Sequence, residues 1–406
     1  MKILHINSVC DFGSTGLIAR ELADYLIEKG HEVHIAYGHG SSTFANSYKI
    51  ESYIGAKVHN LLFTRILGLH GYGSYFATKR FLKRIDKISP DIIHLGNIHA
   101  NYLNYKLLFN YIINKGIPVV FTLHDCFNFT GKCHHYTSAT CYRWKDHCYN
   151  CPIVHKTIAP SLFFDFSSRI FKEKKQFYSE MSKMTVVAVS KWLMNEATHS
   201  ILAGKNHKIT YVYNWIDKEK FYRVSEQEVS NFYKKYNLDT NTKYLISVSQ
   251  GWNKLSSRYK DAIKLSSALP KGYRLVLVGN LAQGTSLPNN IIHIPYISDY
   301  VELAAAYTMS EAYVHLSVED TFGKVIAEAM SCGTVPITFN STACGEVPGP
   351  YGIIVKPHDI NAIVESLPRI TDLRSKHDEI IEFVHKNYDY RTNAEQYLNL
   401  YKETIR

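Results

Sequence analysis

Residues 318–336 read V-E-D-T-F-G-K-V-I-A-E-A-M-S-C-G-T-V-P and combine a loop, a short helix and the start of a strand. The apolar spacing after Gly323 suits a helix of about two turns over 324–331, and Gly333 is a residue type that commonly ends a helix. The glycine before the helix lets a ligand approach the backbone, and the N–H groups of a helix start attract anions. The stretch therefore predicts a binding site for a phosphorylated ligand that is rich in hydroxyl groups.

Two acidic residues in this stretch, Asp320 and Glu328, are separated by seven residues. One lies on the loop and the other on the second turn of the predicted helix, so both can contact the same ligand. Carboxylates accept hydrogen bonds from neighbouring hydroxyls, which suits a ribose and a hexose joined by a diphosphate. Paired acids also serve glycosidases, but a glycosidase does not need a phosphate-binding helix start.

The totals describe a globular protein of two domains. The chain has 406 residues, of which 46% are hydrophobic and 20% charged, and this length exceeds the usual size of one core. No apolar run approaches the ~20 residues that cross a bilayer. Because the first residues lack the layout of a signal peptide, we expect a cytoplasmic protein that can reach the inner face of the cell membrane.

The net charge of +10 favours an anionic partner, which could be a nucleotide, a nucleic acid or a membrane surface. Residues 58–87 are aromatic and basic, and a helix near their end would carry a basic face. This face is either plain solvated surface or a docking site for an anionic membrane or a lipid-diphosphate acceptor. Its members are Lys79, Arg80, Lys83, Arg84 and Lys87.

Strands and helices alternate along the chain in two series, which predicts two α/β halves with parallel sheets and a cleft between them. We place an N-terminal domain at 1–205 with a cysteine-rich insert at 126–152, a second domain at 222–385, and a last helix at 386–406 that returns to the first domain. Expected strands lie at 2–7, 32–37, 91–95, 118–123, 185–189, 244–248, 274–278, 291–294, 312–316 and 335–338.

The first predicted strand is followed by a loop with Gly13 and Gly16 and a helix from about residue 17. This spacing is not the dinucleotide fingerprint, which needs three glycines, so a nicotinamide cofactor is not expected. We assign both glycines to donor binding, with an ordinary tight turn as the alternative.

Polar residues follow two neighbouring strands of the first half, with His99 after one and His124 after the next. In doubly wound sheets ligands bind outside the carboxyl ends of the strands, so these side chains are predicted to face the cleft. In the second half, Lys254 and Arg258 follow a strand and could neutralise a diphosphate, and Gly279 ends the next strand. The alternative for the two cations is a charged surface loop.

Four cysteines, Cys133, Cys141, Cys148 and Cys151, fall within nineteen residues. The closing C-x-x-C has the spacing of a zinc knuckle, and four thiolates complete a tetrahedral shell. We therefore predict a structural zinc site and no catalytic metal. A reduced loop without metal and an iron–sulfur cluster are the alternatives.

These motifs together resemble a known enzyme family. Residues 318–336 are similar to the Glu-x7-Glu region of the retaining glycosyltransferases of family 4, which have the GT-B fold, and the similarity runs through most of the chain. Further features resemble the bacterial exopolysaccharide branch with its colanic-acid-type transferases. They are I-N-S-V-C at 6–10, G-S-T-G at 13–16, D-I-I-H-L at 91–95, L-H-D-C at 123–126 and the cysteine cluster.

The resemblance implies roles for the two acids. Glu328 would bind the donor ribose, and the first acidic position would contact the transferred sugar. The spacing assigns that position to Asp320, with Glu319, one residue earlier, as the alternative.

The resemblance also implies the donor-binding residues. Gly323 and the N–H groups of Phe322 and Lys324 would face the sugar or phosphate, and the basic pair of the family falls on Lys254 and Arg258. Many relatives carry a histidine at the position of Gly96, so His99 or His124 would take its place near the reacting sugar.

The implied activity is transfer of a hexose, with retention of its anomeric configuration, from a nucleotide-diphosphate sugar such as a UDP- or GDP-sugar. The acceptor would be a glycan or a lipid-linked oligosaccharide in bacterial surface polysaccharide synthesis. One alternative is a nucleotide-sugar epimerase of the same fold. Another is a basic, zinc-stabilised nucleic-acid-binding protein, but the cysteines lack paired knuckles and the aromatic residues are not grouped on one basic strip. We therefore expect no nucleic-acid partner.

Overall fold

A computed structural model describes residues 1–157, 159–205 and 207–406. The chain forms two compact units, one made of Met1–Tyr213 with Arg391–Arg406 and the other of Asn214–Tyr390. We call them the first and the second domain. The first domain extends beyond residue 205, where we expected it to end, and its last helix comes from the end of the chain.

The first domain contains, in its described residues, a seven-stranded sheet in the order β3-β2-β1-β4-β5-β6-β7, and its paired strands run parallel. The central strands are buried along their length because helices cover both faces of such sheets. The strands are β1 Lys2–Val9, β2 Glu32–His39, β3 Ser47–Lys49, β4 Ile92–Leu95, β5 Val119–Leu123, β6 Met184–Ala188 and β7 His207–Tyr211.

The helices of the first domain are α1 Gly13–Glu28, α2 Tyr53–Val58, α3 Tyr75–Ile88, α4 Tyr105–Lys115, α5 Ser167–Glu180 and α6 Lys191–Thr198, together with α14 Tyr390–Ile405 at the end of the chain. A π-helix, His59–Ile66, continues α2 without a break, and short 3-10 turns lie at Phe127–Phe129 and Arg143–Lys145.

The second domain contains a six-stranded sheet in the order β10-β9-β8-β11-β12-β13, also with parallel pairing. Its strands are β8 Lys243–Trp252, β9 Tyr273–Leu281, β10 Ile291–Ile294, β11 Ala312–His315, β12 Val335–Phe339 and β13 Ile353–Val355. Its helices are α7 Glu226–Lys235, α8 Ser257–Ala268, α9 Tyr300–Met309, α10 Lys324–Ser331, α11 Ile360–Glu365, α12 Leu367–Arg374 and α13 His377–Asn387.

Helix α10 has the bounds that its sequence predicts. Gly323 precedes it at φ +79° and Gly333 follows it at φ +78°, and glycine reaches these left-handed conformations without the steric penalty of a Cβ. The predicted start of α1 at residue 17 was wrong, because the helix begins at Gly13 and therefore contains Gly16.

The last helix, α14, supplies hydrogen bonds to the buried sheet of the first domain. The Tyr401 hydroxyl hydrogen-bonds with His94 Nδ1 at 2.7 Å, and the Tyr397 hydroxyl with Thr122 Oγ1 at 3.1 Å. Thr122 Oγ1 in turn hydrogen-bonds with His94 Nε2 at 2.7 Å. Both ring nitrogens of this buried histidine are therefore satisfied, and one of them depends on α14.

We expect Tyr401→Phe to lower the free energy of unfolding of the first domain by ~1–3 kcal/mol, because it leaves a buried polar atom of His94 without its partner. Thermal or urea unfolding measures this loss. Tyr53→Phe is the matched control, since Tyr53 is 67% exposed and surface changes usually stay within about 0.5 kcal/mol. Equal stability of the two variants would contradict the role assigned to Tyr401.

Candidate active site

The first acid of the 318–336 stretch is held by a histidine from the neighbouring strand. His315, at the end of β11, is buried, and its Nε2 lies 2.9 Å from Asp320 Oδ2. Its Nδ1 hydrogen-bonds with the Tyr313 hydroxyl at 2.8 Å. The backbone N–H of Asp320 donates to Thr342 Oγ1 at 3.1 Å. These bonds fix the carboxylate at the carboxyl end of the sheet, while 33% of its side chain stays exposed.

The two partners shift each other's protonation. Burial opposes the charged form of His315, but its contacts with Tyr313, Cys344 and Asp320 together outweigh burial and raise its pKa well above 6.5. Burial alone would also raise the pKa of Asp320, but the bond from His315 and the charge of Arg258 lower it below 3.8.

The sign of each shift defines a pH window for the pair. The stabilisation from Asp320 is present above pH 3.8 and is lost as the pH falls through its lowered pKa. The stabilisation from His315 is present below pH 6.5 and is lost as the pH rises through its raised pKa.

Arg258, on α8, lies on the same edge of the second sheet. Its Nη1 donates to Ser249 Oγ at 2.6 Å, and its charge acts on Asp320. Gly279 has φ +130°, and a Cβ there would lie 1.8 Å from the Ser249 carbonyl oxygen, so only glycine allows β8 and β9 to approach at this point. Lys254 is exposed on the loop between β8 and α8.

Helix α10 begins four residues after Asp320, whose carboxylate is bound by His315. Its N-cap is Gly323, which has no side chain that could cap the N–H groups of the first turn. The Phe322 ring is buried and packs edge-on against Tyr388 at 5.2 Å. Lys324 is half-buried at the first helical position.

Glu328 lies one turn further along α10 and is half-buried. Burial raises its pKa above 4.5, and the charge of Lys324 partly opposes this shift. Glu319, the alternative to Asp320, is also half-buried, and its N–H donates to Ser317 Oγ at 3.3 Å. Of the two adjacent acids, Asp320 is therefore the one anchored by the hydrogen bond from His315.

A second histidine–carboxylate pair occurs in the first domain. His99 Nε2 lies 2.7 Å from Asp125 Oδ2, and the Asp125 Oδ1 accepts from the Phe127 N–H at 2.8 Å. The charge of His99 is the main influence that opposes burial and lowers the pKa of Asp125. The His134 ring packs edge-on against His99 at 4.3 Å. Asp125, at the carboxyl end of β5, thus orients His99, which follows β4.

His124 faces a different space at the same edge. It lines a cavity of about 20 Å³ together with Asn7, Thr15 and Gly96, and burial lowers its pKa to about 4. A Cβ on Gly96 would lie 2.8 Å from the Asn7 side-chain oxygen. A side chain at this position would therefore have to displace the Asn7 amide.

The two glycines of the first loop differ in their surroundings. Gly13 has φ +66° and open space around it, whereas a Cβ on Gly16 would lie 2.7 Å from the Cys10 carbonyl oxygen. Gly16 therefore has a packing reason within the domain. Its assignment to donor binding, like that of Gly13, stays a prediction.

The four cysteines line one cavity of about 20 Å³ in the first domain, and all four are free thiols. The Gly131 N–H donates to Cys148 Sγ at 3.2 Å. Burial raises the pKa of the Cys133 thiol to about 12 and that of Cys148 to about 11. Two lysines lie beside the cavity. Lys132 is buried, with no hydrogen-bond partner for its Nζ among the described residues, and burial lowers the pKa of Lys174 to about 7.

The sulfur donors suit zinc in their chemistry, and ammonium groups nearby would balance thiolate charge. Among the described residues, however, ligand atoms of three side chains come within 4.8 Å of one another at two other places. These are His99, Asp125 and His134, and His315, Asp320 and Cys344. Binding one ion by four sulfurs would therefore require the thiols to move closer together.

Sequence reasoning named Asp320, Arg258 and Gly279, and the structure brings them together at one edge of the second sheet. It missed His315 and Tyr313, whose alternation along β11 places two polar side chains on one face of a buried strand. That alternation was the available signal. His99 and His124 share an edge of the first sheet but face different surroundings.

Two family models match the chain. The one described as Glycosyltransferase Family 4 matches residues 16–220, and the one described as Glycosyl transferases group 1 matches residues 228–386. The chain therefore belongs to the glycosyltransferases of family 4 and is a glycosyltransferase of the GT-B type.

Individual relatives agree with this assignment. The chain is 22% identical over 97% of its length to N-acetyl-alpha-D-glucosaminyl L-malate synthase of Bacillus anthracis, of which it covers 95%. It is 36% identical to O-antigen chain mannosyltransferase B of Escherichia coli over 18% of this chain and 19% of that protein. HepE of Anabaena, solved in complex with UDP-glucose, matches with a TM-score of 0.67 at 14% identity, over 99% of this chain and 100% of that one. At this identity the likeness shows the fold.

We expect Asp320→Asn to lower the pKa of His315, because burial then acts on the imidazole without the opposing carboxylate. A pH titration of the histidine side-chain NMR signals measures the shift. Glu319→Gln is the matched control, since it neutralises the adjacent acid and should leave the pKa of His315 unchanged. If His315 titrated alike in both variants, the anchoring role of Asp320 would be wrong.

Proposed function

We propose that the protein transfers a hexose, with retention of configuration, from a UDP- or GDP-sugar to a glycan or lipid-linked acceptor. The observation that carries the proposal is the cluster at the edge of the second sheet, where Asp320, Arg258 and the start of α10 converge. This cluster combines an acceptor for sugar hydroxyls with a cation and N–H groups for phosphate. Family membership supports the reaction class, and the UDP-glucose complex of HepE supports a nucleotide-sugar donor.

In this proposal the departing diphosphate is stabilised by fixed charge. Arg258, Lys254 and the N–H groups at the start of α10 would neutralise it as the bond to the sugar breaks. Asp320, held by His315, would accept hydrogen bonds from the sugar, and Glu328 would accept them from the ribose. The acceptor hydroxyl then attacks from the face that the diphosphate leaves, and its proton passes to the leaving phosphate.

The acceptor is proposed to meet the first domain. His99, oriented by Asp125, and His124 are polar groups at the carboxyl end of its sheet that can contact the reacting sugars. Bacterial surface polysaccharide synthesis is the proposed pathway. The local similarity to an O-antigen mannosyltransferase supports it.

The two alternatives predict different products. An epimerase would isomerise the donor sugar without an acceptor, and a nucleic-acid-binding protein would release no nucleotide at all. Family membership favours the transferase. A panel of nucleotide sugars, screened by thermal shift, would first identify the donor, since a ligand that binds the folded state raises its melting temperature.

With that donor, we expect Glu328→Ala to reduce transfer at least about tenfold while the protein stays folded. The reason is the loss of a hydrogen bond to a charged group, worth ~1.5–3 kcal/mol. Release of nucleotide in the presence of acceptor measures the rate, and NMR of the product gives its anomeric configuration.

Glu382→Ala is the control for this variant, because Glu382 is an exposed acid of the same domain. It should keep the wild-type rate. Near-normal turnover of Glu328→Ala would refute the ribose assignment, and an inverted anomeric centre would refute the retaining reaction.

We also propose that Cys133, Cys141, Cys148 and Cys151 bind a structural zinc ion. The shared cavity and the two adjacent lysines support this, since a zinc ion with four thiolates carries a net negative charge that ammonium groups balance. Zinc would cross-link the segment between β5 and α5 and would have no catalytic role.

Protein purified without chelator is expected to contain about one zinc per chain, because four cysteines make one closed shell. Elemental analysis measures the metal, and Cys148→Ser/Cys151→Ser should lose it. Cys332→Ser is the control, since Cys332 is a buried free cysteine of the second domain. Zinc below about a tenth of an equivalent would favour the reduced loop without metal.

A further inference from the structure

The helical segment Tyr53–Ile66, made of α2 and the π-helix, has its polar and apolar faces reversed. His59 is 1% exposed and Thr64 is fully buried, whereas Ile54 is 73% exposed and Leu61 54%. In a surface helix of a globular protein the apolar side chains normally face the core. This segment turns them outward.

The inward polar side chains have specific partners, which fix the orientation of the segment. His59 Nδ1 hydrogen-bonds with Ser74 Oγ at 2.9 Å, and its Nε2 accepts from the N–H groups of Gly71 and Gly73, both at 3.3 Å. Thr64 Oγ1 hydrogen-bonds with His70 Nδ1 at 3.1 Å. Rotating the helix to hide its apolar face would break all of these bonds.

Two further segments extend the outward apolar face. Phe76, at the start of α3, is 76% exposed, and Phe163 is 70% exposed. The loop that carries Phe163 is joined to the π-helix, because the Leu162 N–H donates to the Arg65 carbonyl oxygen at 2.7 Å. We call this face, formed by Ile54, Leu61, Leu62, Phe76, Leu162 and Phe163, the apolar surface. Several exposed large apolar side chains on connected segments are typical of an interaction site.

The charged side chains of the helices that carry most of the apolar surface are of one sign over residues 53–84. Residues 53–84 contain six Lys and Arg residues and no Asp or Glu. Lys57 lies over the Tyr53 ring at 4.3 Å and Lys79 over the Tyr75 ring at 4.6 Å. Lys83 and Arg84 are exposed further along α3. Aromatic and aliphatic side chains bordered by cations are the composition of helices that lie in an anionic membrane interface.

A second copy of the chain is the other occupant that could cover an apolar face. In a twofold dimer the same patch meets itself, so the six cations of one chain would face the six of the other. That like-charge contact is unfavourable, whereas anionic lipid headgroups neutralise it. No helix among the described residues is long and apolar enough to span a bilayer.

We propose that the apolar surface and its cations dock the first domain onto an anionic lipid bilayer. This docking rests on the proposed function, because it would bring the enzyme to a lipid-linked acceptor in that bilayer. The apolar side chains enter the boundary between headgroups and acyl chains, and the cations contact the headgroups.

Flotation of the purified full chain with vesicles tests the proposal. We expect binding to phosphatidylglycerol vesicles and little binding to phosphatidylcholine vesicles. Ile54→Ser/Leu61→Ser/Leu62→Ser should weaken binding at least about tenfold by removing apolar contact. Lys83→Gln/Arg84→Gln should weaken it roughly 25-fold, from about fivefold per cation near an anionic surface.

Matched controls lie in the second domain. Leu255→Ser removes an apolar side chain that is 77% exposed, and Lys264→Gln/Lys271→Gln removes two exposed cations. Both should bind vesicles as the wild type does. All variants change exposed side chains, and an unchanged melting temperature would verify that they fold.

The outcomes separate this proposal from the transferase assignment. Unchanged vesicle binding in both surface variants would overturn the docking, as would a dimer in analytical ultracentrifugation that the triple serine variant converts to monomer. Stabilisation by the nucleotide-sugar donor should persist in these variants, because it reports on the second domain. Vesicle binding without donor binding or transfer would instead count against the proposed function.

Discussion

Parallel pairing of the strands is the constraint on which the rest of the structure depends. A parallel sheet brings the carboxyl ends of its strands to one edge, and the loops that leave this edge can converge on a ligand. In the first domain this edge carries His99 and His124, which follow β4 and β5. In the second it carries Gly279, at the end of β9, and Asp320, which follows β11. The pairing of the strands therefore determines where the site residues of both domains lie.

Each edge is then fixed by a histidine–carboxylate pair. His315 holds Asp320 at 2.9 Å and Asp125 holds His99 at 2.7 Å, in both cases with the strand end as the rigid support. The roles are reversed between the domains, because a histidine orients an acid in one and an acid orients a histidine in the other. Such pairs restrict side chains that loops alone would leave free to adopt several rotamers, and binding then costs less conformational entropy.

The sequence predicted what local rules determine. Glycines with positive φ mark the ends of α10, and the runs of buried apolar residues mark the central strands. It did not predict β3, β7 or β13, because Ser47–Lys49 and Ile353–Val355 are only three residues long and His207–Tyr211 is half polar. The pairing of His315 with Asp320 was also missed, since hydrogen bonding between a strand and the following loop is a tertiary property. The orientation of the segment Tyr53–Ile66 was not predicted for a related reason. The periodicity of a helix shows that its two faces differ but not which face packs against the core.

Helix α14 packs into the first domain but follows the second domain in the sequence. Its Tyr397 and Tyr401 complete the hydrogen bonds of Thr122 and His94 deep in the first domain, yet they are synthesised only after the whole second domain. The second domain is encoded between these two parts of the first. The first domain therefore cannot complete these buried hydrogen bonds until the second domain and α14 have been synthesised. Deletion of α14 would consequently destabilise the first domain, although the second domain is the one that directly precedes this helix in the sequence.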